Sequence, residues 1–190
     1  MAWTPLELAA NLMTAICIFL AGRNNVHTWW TGLVGCVLFA ALFYTSQLYA
    51  DVTLQLFFFV TGVIGWLNWA DTKDKPSLPI TQAPYATVAG MTGVAILIAA
   101  LYGWILHRYT DAYAPWVDSL VLTLSVMAQL LLVRRNVQTW PAWLIVNTLS
   151  VPLFWSRELY LTSVLYGFFW INALISWRSW IKLSTKQEVV

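Results

Sequence analysis

The sequence predicts an all-α integral membrane protein whose seven transmembrane helices form a parallel 3+1+3 repeat. Three observations lead to this fold class. Sixty per cent of the 190 residues are hydrophobic and only 9% are charged, against roughly 25% charged in an average soluble domain. The charged residues fall almost entirely between long apolar runs, and one long segment of the chain occurs twice. We therefore expect most of the chain to lie in lipid.

The apolar runs define the individual spans. We place them at about residues 6–22, 26–45, 52–70, 85–107, 117–133, 137–155 and 159–180. A helix of roughly this length crosses about 30 Å of hydrocarbon and satisfies its own backbone groups there. The strands of a membrane barrel would alternate at every second residue, which residues 54–60 do not. The first span lacks the positive start of a signal peptide, and we expect it in the mature fold.

Residues 23–69 and 134–180 are two copies of one segment, offset by 111 residues without a gap. Pairing them position by position gives 17 identities in 47 pairs. The clearest match lies between Arg23–Trp29 (RNNVHTW) and Arg134–Trp140 (RRNVQTW), and the same offset carries Glu7 onto Asp118. Internal repeats in apolar chains are typical of secondary transporters, whose substrate site lies where the halves meet.

The cations predict the orientation of the chain. If successive spans cross the membrane in opposite directions, eight of the ten Lys and Arg residues lie on one side of the membrane. Only Arg108 and Arg157 lie on the other side. Because cytoplasmic loops carry an excess of cations, the N-terminus is expected outside and the C-terminus in the cytoplasm. The unpaired span at 85–107 inverts the chain between the triplets, so both triplets face the same way.

The predicted organisation follows from the repeat and this orientation. A first three-helix repeat spans 6–70, a cytoplasmic connector 71–84, and the inversion helix 85–107. A second three-helix repeat spans 117–180, and residues 181–190 form a cytoplasmic tail.

Polar residues at mid-membrane depth are the candidate substrate ligands. At several such positions the second copy departs from the first, as an asymmetric ligand on a symmetric scaffold would require. The alternative for each residue is a helix–helix hydrogen bond, worth about 1 kcal/mol in membranes. The candidate substrate-binding residues are Gln55, Asn147, Ser150, Tyr166, Trp170 and Asn172. They offer an aromatic face and amide groups, which suit a planar, polar, cationic ring.

Thirteen tryptophans are present, and most lie at predicted span ends. An aromatic belt at the two membrane interfaces explains that placement. The repeated pairs Trp66/Trp69 and Trp177/Trp180 could instead close the inner end of a pathway, and Pro152 is expected to kink its span. The candidate gate residues are therefore Trp66, Asn68, Trp69, Trp177 and Pro152.

Other function classes find less support in the sequence. No carboxylate lies at mid-membrane depth, and coupled transport usually relies on buried acids, so facilitated diffusion is favoured. His27 and His107 fall on opposite sides of the membrane, without acid or cysteine at ligand or triad spacing. We therefore expect no enzyme activity, no metal or cofactor, and no nucleic-acid partner. A seven-helix ligand-binding receptor remains the alternative that does not transport.

Five stretches resemble the PnuC family of vitamin transporters: LQLFFF at 54–59, GWLNW at 65–69, WVDS at 116–119, NTLSV at 147–151 and LYLT at 159–162. The resemblance runs from about residue 6 to 180. The helix layout is similar to that of the small sugar transporters called SWEET.

Membership of this family would imply an importer of nicotinamide riboside, a precursor of NAD, in the bacterial inner membrane. It would work by facilitated diffusion, with phosphorylation in the cytoplasm trapping the product. Related branches carry thiamine, riboflavin or deoxynucleosides. Asn147 and the run Phe169–Asn172 look more like the nicotinamide riboside branch. The resemblance also implies a homotrimer surrounded by membrane lipids.

Overall fold

The computed structural model describes residues 5–45, 49–70, 79–109, 114–156 and 160–187. Within these residues the chain forms seven α-helices, which confirms the predicted all-α membrane fold. They are α1 Pro5–Gly22, α2 His27–Thr45, α3 Tyr49–Trp69, α4 Tyr85–Tyr109, α5 Pro115–Val133, α6 Thr139–Ser156 and α7 Tyr160–Gln187. Helix α7 continues seven residues past its predicted end, so most of the expected tail is helical. Residues 71–78 of the connector and 188–190 of the tail lie outside the described residues.

Three of the described helices are by themselves long and apolar enough to cross a membrane. They are α1, α4 and α5, with mean hydropathies of 1.6, 1.9 and 1.8. Helices α2 and α3 contain shorter apolar stretches, His27–Leu42 and Leu54–Trp69. Large apolar side chains cover the outside of these helices, as Leu12 at 61% and Leu97 at 70% exposure illustrate. Such a surface is stable in lipid and would aggregate in water.

The chain divides into two compact units, residues 1–79 and 80–190. In the first unit α2 packs against both α1 and α3. In the second, each of α4, α5, α6 and α7 packs against the next helix along the chain. Each of the two predicted triplets therefore forms a set of helices packed in chain order, and α4 belongs to the same unit as the second triplet.

Each unit builds the same turn between its first two repeat helices. Asn24 and Arg135, which the offset of 111 relates, both have φ of 54°. The next amide along the chain then donates to the preceding helix, from Asn25 to the carbonyl of Leu20 at 3.0 Å and from Asn136 to that of Leu131 at 2.9 Å. Repetition of these bonds shows that the duplicated sequence specifies the same local structure twice.

A buried threonine ties the helix pair together after each turn. The Thr28 hydroxyl donates to the Cys17 carbonyl at 2.8 Å, and the Thr139 hydroxyl donates to that of Ala128 at 2.8 Å. Both threonines are almost completely buried, at 1% and 0% exposure. Such bonds between helices stabilise membrane proteins, because lipid offers no competing partner.

Four tryptophans pack inside the units and do not serve as an interfacial belt. Trp29 meets Trp69 edge to face with ring centroids 5.1 Å apart, and Trp140 meets Trp180 in the same way at 5.3 Å. All four side chains are at most 4% exposed. The aromatic-belt interpretation was therefore wrong for these four, since side chains buried among helices cannot anchor the protein in lipid headgroups.

Small residues bring α4 against α5. Ala95, Ala99 and Gly103 recur every four residues along one face of α4, and all three are buried. A Cβ added at Gly103 would stand 2.8 Å from the Trp116 ring. Close approach through small residues is how membrane helices pack.

The segment before α4 is bound to the turn between α5 and α6. The Thr81 amide donates to the Arg135 carbonyl at 3.1 Å, and the Val137 amide donates to the Thr81 carbonyl at 2.9 Å. Gln138 adds two side-chain bonds to the backbone of Ala83, at 2.8 and 3.3 Å. Arg135 is 7% exposed, and this burial lowers the pKa of its guanidinium.

Candidate substrate site

Asn147 and Ser150 lie one turn apart on α6, and both are buried. Asn147 is 3% exposed and Ser150 is 0% exposed. Within the described residues the Ser150 hydroxyl has no hydrogen-bond partner. A buried hydroxyl without a partner costs about 1–3 kcal/mol. The offset pairs these residues with Cys36 and Phe39, so this polar pair occurs only in the second copy.

Tyr166 belongs to an aromatic cluster between α6 and α7. Its ring centroid lies 4.9 Å from that of Phe154 and 5.5 Å from that of Phe169. The side chain is half-buried, whereas Phe169 is buried. Two aromatic neighbours therefore hold the Tyr166 ring in place while part of the side chain stays exposed. A residue that lines a substrate-binding site would have such an environment.

Trp170 contacts α6 through a hydrogen bond. Its indole N–H donates to the Thr148 hydroxyl at 3.0 Å, and the Thr148 hydroxyl donates to the Leu144 carbonyl at 2.7 Å. The Trp170 side chain remains 38% exposed. Part of its ring is therefore exposed while its polar atom is satisfied.

Sequence reasoning did not select Thr148, which is exposed on α6. Its counterpart in the first copy is Val37, so it is a departure of the same kind as those used to select the candidates. A threonine in a helix usually bonds to its own backbone, which makes its sequence signal weak. Only the packing of α7 against α6 reveals that it accepts from Trp170.

Asn172 and Gln55 lie on other faces or elements than Trp170. Asn172 follows Trp170 by two residues, which turns it about 200° around α7, and it is half-buried on a different face of the helix. Gln55 is half-buried on α3, in the first unit. The second unit brings Asn147 together with Ser150 on one helix face, and Trp170 together with Thr148 across two helices.

The candidate gate residues have different environments. Trp69 is 2% exposed and packs against Trp29, so it has a structural contact within its own unit. Trp66, one turn earlier, is 43% exposed. Asn68 and Trp177 are half-buried, and Pro152 lies exposed inside α6.

The corresponding place in the first copy is an apolar groove. A cavity of about 270 Å³ opens between α2 and α3, and its lining is entirely apolar: Leu33, Val34, Val37, Leu38 and Phe59. By the offset, Val37 corresponds to Thr148 and Phe59 to Trp170. At these two positions the second copy carries a hydroxyl and an indole where the first copy is purely apolar. Among the described residues no group of three His, Cys, Asp or Glu side chains could hold a metal ion.

Comparison with known proteins identifies the family. The family described as "Nicotinamide mononucleotide transporter" matches residues 4–182, nearly the whole chain. The chain belongs to this family. It is thus a membrane transport protein and not an enzyme, as the sequence predicted, and the suspected kinship with PnuC proteins is confirmed.

Individual relatives agree with the family. The chain is 28% identical to the nicotinamide riboside transporter PnuC of Escherichia coli K12, over 93% of this chain and 84% of that protein. It is 24% identical to the riboflavin/roseoflavin transporter RibM of Streptomyces davaonensis, over 92% of this chain and 83% of that protein. The crystal structure of the vitamin B3 transporter PnuC has the same fold, with a TM-score of 0.74 at 21% identity, covering 95% of this chain and 82% of that one.

Proposed function

We propose that this protein imports nicotinamide riboside by facilitated diffusion through a site near the membrane midplane. The Escherichia coli relative named as a transporter of this nucleoside matches 93% of the chain, which supports the choice of substrate. The observation that carries the proposal is Trp170, a partly exposed indole whose N–H already donates to Thr148.

Nicotinamide riboside suits these residues chemically. It has a flat, cationic pyridinium ring, which an indole face attracts, together with a carboxamide and ribose hydroxyls. Asn147 and the unpartnered Ser150 hydroxyl offer hydrogen bonds to such groups. Tyr166 would line the pocket, and Gln55 and Asn172 would bond the polar edges of the substrate.

The nucleoside is favoured over the mononucleotide that gives the family its description. A phosphate group carries nearly two negative charges and is usually bound by Lys or Arg side chains. Helices α1, α2, α3, α5 and α6 contain no Lys or Arg, and those of α4 and α7 lie near their C-terminal ends. The membrane interior of this chain therefore offers no cation that could bind a phosphate.

The remaining features of the proposal are its orientation and assembly. We infer that the two triplets are parallel, with α4 as the inversion helix, in a SWEET-like arrangement. The N-terminus would lie outside and the C-terminus in the cytoplasm of a bacterial inner membrane, and the protein would assemble as a homotrimer in lipid. Trp66, Asn68, Trp69, Trp177 and Pro152 would form the inner gate. The eight-to-two distribution of cations supports the orientation.

Uptake into liposomes that contain only the purified protein tests this function. Labelled nicotinamide riboside should enter without a proton or sodium gradient, whereas a ligand-binding receptor would bind it without uptake. Unlabelled nicotinamide riboside, thiamine, riboflavin and a deoxynucleoside should be compared as competitors. Stronger competition by riboflavin would support the second candidate function, riboflavin transport, which the similarity to RibM favours.

Two substitutions test the site. Trp170→Ala and Asn147→Ala should each weaken binding of nicotinamide riboside, measured by calorimetry on folded protein. Ile171→Ala is the matched control, since Ile171 neighbours Trp170 and is 52% exposed. Unchanged affinity in both variants would remove the proposed site while leaving the family membership intact.

A further inference from the structure

Departures between the two copies gather at one place on α6 and α7. Val37, Leu56 and Phe59 of the first copy become Thr148, Gly167 and Trp170 in the second. Each change alters size or polarity, and in the second copy Thr148 and Trp170 are exposed. In the first copy, two of these positions line the apolar groove between α2 and α3.

A chain of two hydrogen bonds holds the Trp170 ring. The indole N–H donates to Thr148, and Thr148 donates in turn to the Leu144 carbonyl, at 3.0 and 2.7 Å. Since the Thr148 hydroxyl uses its proton on Leu144, it is oriented to accept from Trp170 and cannot rotate away without breaking its own bond. The ring is therefore held against α6, although Trp170 is 38% exposed.

Gly167 leaves open space beside the ring. It precedes Trp170 by three residues and so lies on the same side of α7. No heavy atom lies within 4 Å of the position that a Cβ at Gly167 would take. A tryptophan side chain on a helix normally leans back over the preceding turn, yet the bond to Thr148 keeps this ring out of that space. The residue that corresponds to Gly167 in the first copy is Leu56, whose side chain is 63% exposed.

Gly167 borders the most apolar face of α7, and Trp170 lies farther around the helix from that face. Val164, Phe168, Ile171 and Ile175 form a stripe at helical spacing, and each is at least 51% exposed. Gly167 and Trp170 lie beside that stripe, next to the half-buried Tyr166. The stripe suits lipid, whereas the face with Gly167 combines aromatic rings, a hydroxyl partner and open space.

Pro152 adds an acceptor on α6. A proline has no N–H, so the carbonyl four residues earlier, that of Thr148, receives no helical hydrogen bond from it. The first copy has Ala41 at this position, which has an N–H to donate. Lipid offers no donor in its place. The same residue that orients Trp170 therefore has a carbonyl suited to accept from a hydroxyl or a carboxamide.

We propose that Thr148 and Gly167 form a shelf for the planar ring of the substrate, in which Thr148 is a positioning residue for Trp170 and Gly167 provides the space. The ring would lie against the indole in the opening that Leu56 fills in the first copy. This inference rests on the proposed function and adds two residues that determine which substrates fit. Large flat rings are accepted because the shelf has no side chain at position 167.

Substitutions at Thr148 test the positioning role. Thr148→Val copies the first repeat and removes the acceptor, and we expect it to weaken binding of nicotinamide riboside about three- to tenfold, in the range of one hydrogen bond. Thr148→Ser keeps the hydroxyl and should restore most of the affinity. In the background of Trp170→Phe, which has no N–H, Thr148→Val should have little further effect. A purely structural threonine would give additive losses in this double-mutant cycle.

Substitution at Gly167 tests the space. Gly167→Leu copies the first repeat and should lower affinity about tenfold or more, since a side chain then occupies the position of the ring. Its melting temperature should stay close to wild type, because a Cβ there meets nothing within 4 Å. Gly93→Leu is the matched control, at an equally open glycine on α4, and should leave affinity unchanged.

The outcomes separate the shelf from the function on which it rests. If wild-type protein fails to bind or transport nicotinamide riboside, the proposed function falls. If wild type transports it but Thr148→Val and Gly167→Leu bind it normally, the function stands and the shelf is refuted. If Thr148→Val and Trp170→Phe lose affinity additively, Thr148 does not act through Trp170, and the positioning role is refuted.

Discussion

The Trp29 ring stands edge-on to the Trp69 ring, with an interplanar angle of 89° and centroids 5.1 Å apart. This contact joins the start of α2 to the end of α3. Its copy in the second unit, between Trp140 and Trp180, has an angle of 83°. The same pair of indoles therefore closes the same end of each triplet, and the duplicated tryptophans are part of the packed interior.

Removing one of these buried rings should destabilise the protein. Trp69→Ala and Trp180→Ala should each lower the stability by about 3–5 kcal/mol, the usual cost of truncating a buried tryptophan. Thermal unfolding in detergent, followed by size-exclusion chromatography, measures the effect. Trp66→Ala is the control, because Trp66 is 43% exposed. A gating role without a packing role would instead give normal melting and altered transport for Trp69→Ala.

A methyl group at Gly65 should also destabilise the first unit. A Cβ there would overlap the six-membered ring of Trp29, which Trp69 already confines. We expect Gly65→Ala to cost about 1–3 kcal/mol, as overpacking of a dense interior does. The same measurement applies, and Gly167→Ala should melt like wild type because its surroundings are open. Equal melting temperatures for Gly65→Ala and Gly167→Ala would show that the Trp29 ring moves aside without an energetic cost.

The buried threonines should contribute similar stability in the two units. Thr28→Val and Thr139→Val each remove a 2.8 Å bond to a carbonyl of the preceding helix. We expect each to lower stability by about 1 kcal/mol, the typical value for hydrogen bonds between membrane helices. Thr185→Val serves as the control, because Thr185 is exposed and bonds only within α7. Melting curves no different from that control would contradict the structural role of the bonds.

The segment before α4 should loosen when Gln138 is shortened. Gln138→Ala removes both bonds to the Ala83 backbone and leaves the Thr81 bonds in place. Faster hydrogen–deuterium exchange is expected at residues 80–84, with little change in α6. Gln82→Ala should not alter the exchange, since Gln82 is exposed. Unchanged exchange in Gln138→Ala would mean that the backbone bonds of Thr81 are sufficient.

Uptake of a cationic nucleoside should respond to membrane potential. One positive charge crossing the membrane gains about 2.3 kcal/mol per 100 mV. An inside-negative potential of about 100 mV should therefore accumulate nicotinamide riboside about fiftyfold at equilibrium. A potassium diffusion potential in proteoliposomes provides the test, with reversed polarity as the control. Accumulation that ignores the potential but follows a proton gradient would contradict facilitated diffusion of the cation.

Hydropathy and repetition were sufficient to predict the seven helices, because lipid leaves few structures open to long apolar runs. Helix ends were harder to predict. Helix α7 runs to Gln187, and four of the seven residues after Trp180 (Lys182, Leu183, Lys186 and Gln187) favour a helix beyond the apolar stretch. Burial was also missed, since hydropathy does not distinguish a tryptophan that faces lipid from one between two helices, such as Trp180.

The sequence also predicted some features of the candidate site and missed others. Comparing the copies selected Asn147, Ser150 and Trp170, which the structure shows as a buried amide, a buried hydroxyl and a partly exposed indole. It did not select Thr148 or Gly167, because the hydrogen bond from Trp170 to Thr148 and the open space at Gly167 appear only in the packed structure.

By itself, the sequence determined the fold class, the duplication and the kinship with vitamin transporters, because those depend on composition, periodicity and local motifs that need no partner. Only the tertiary structure decided which tryptophans are buried and which hydroxyl orients Trp170. Those properties arise when residues far apart in the chain come within a few ångströms of each other, and no local pattern records that distance.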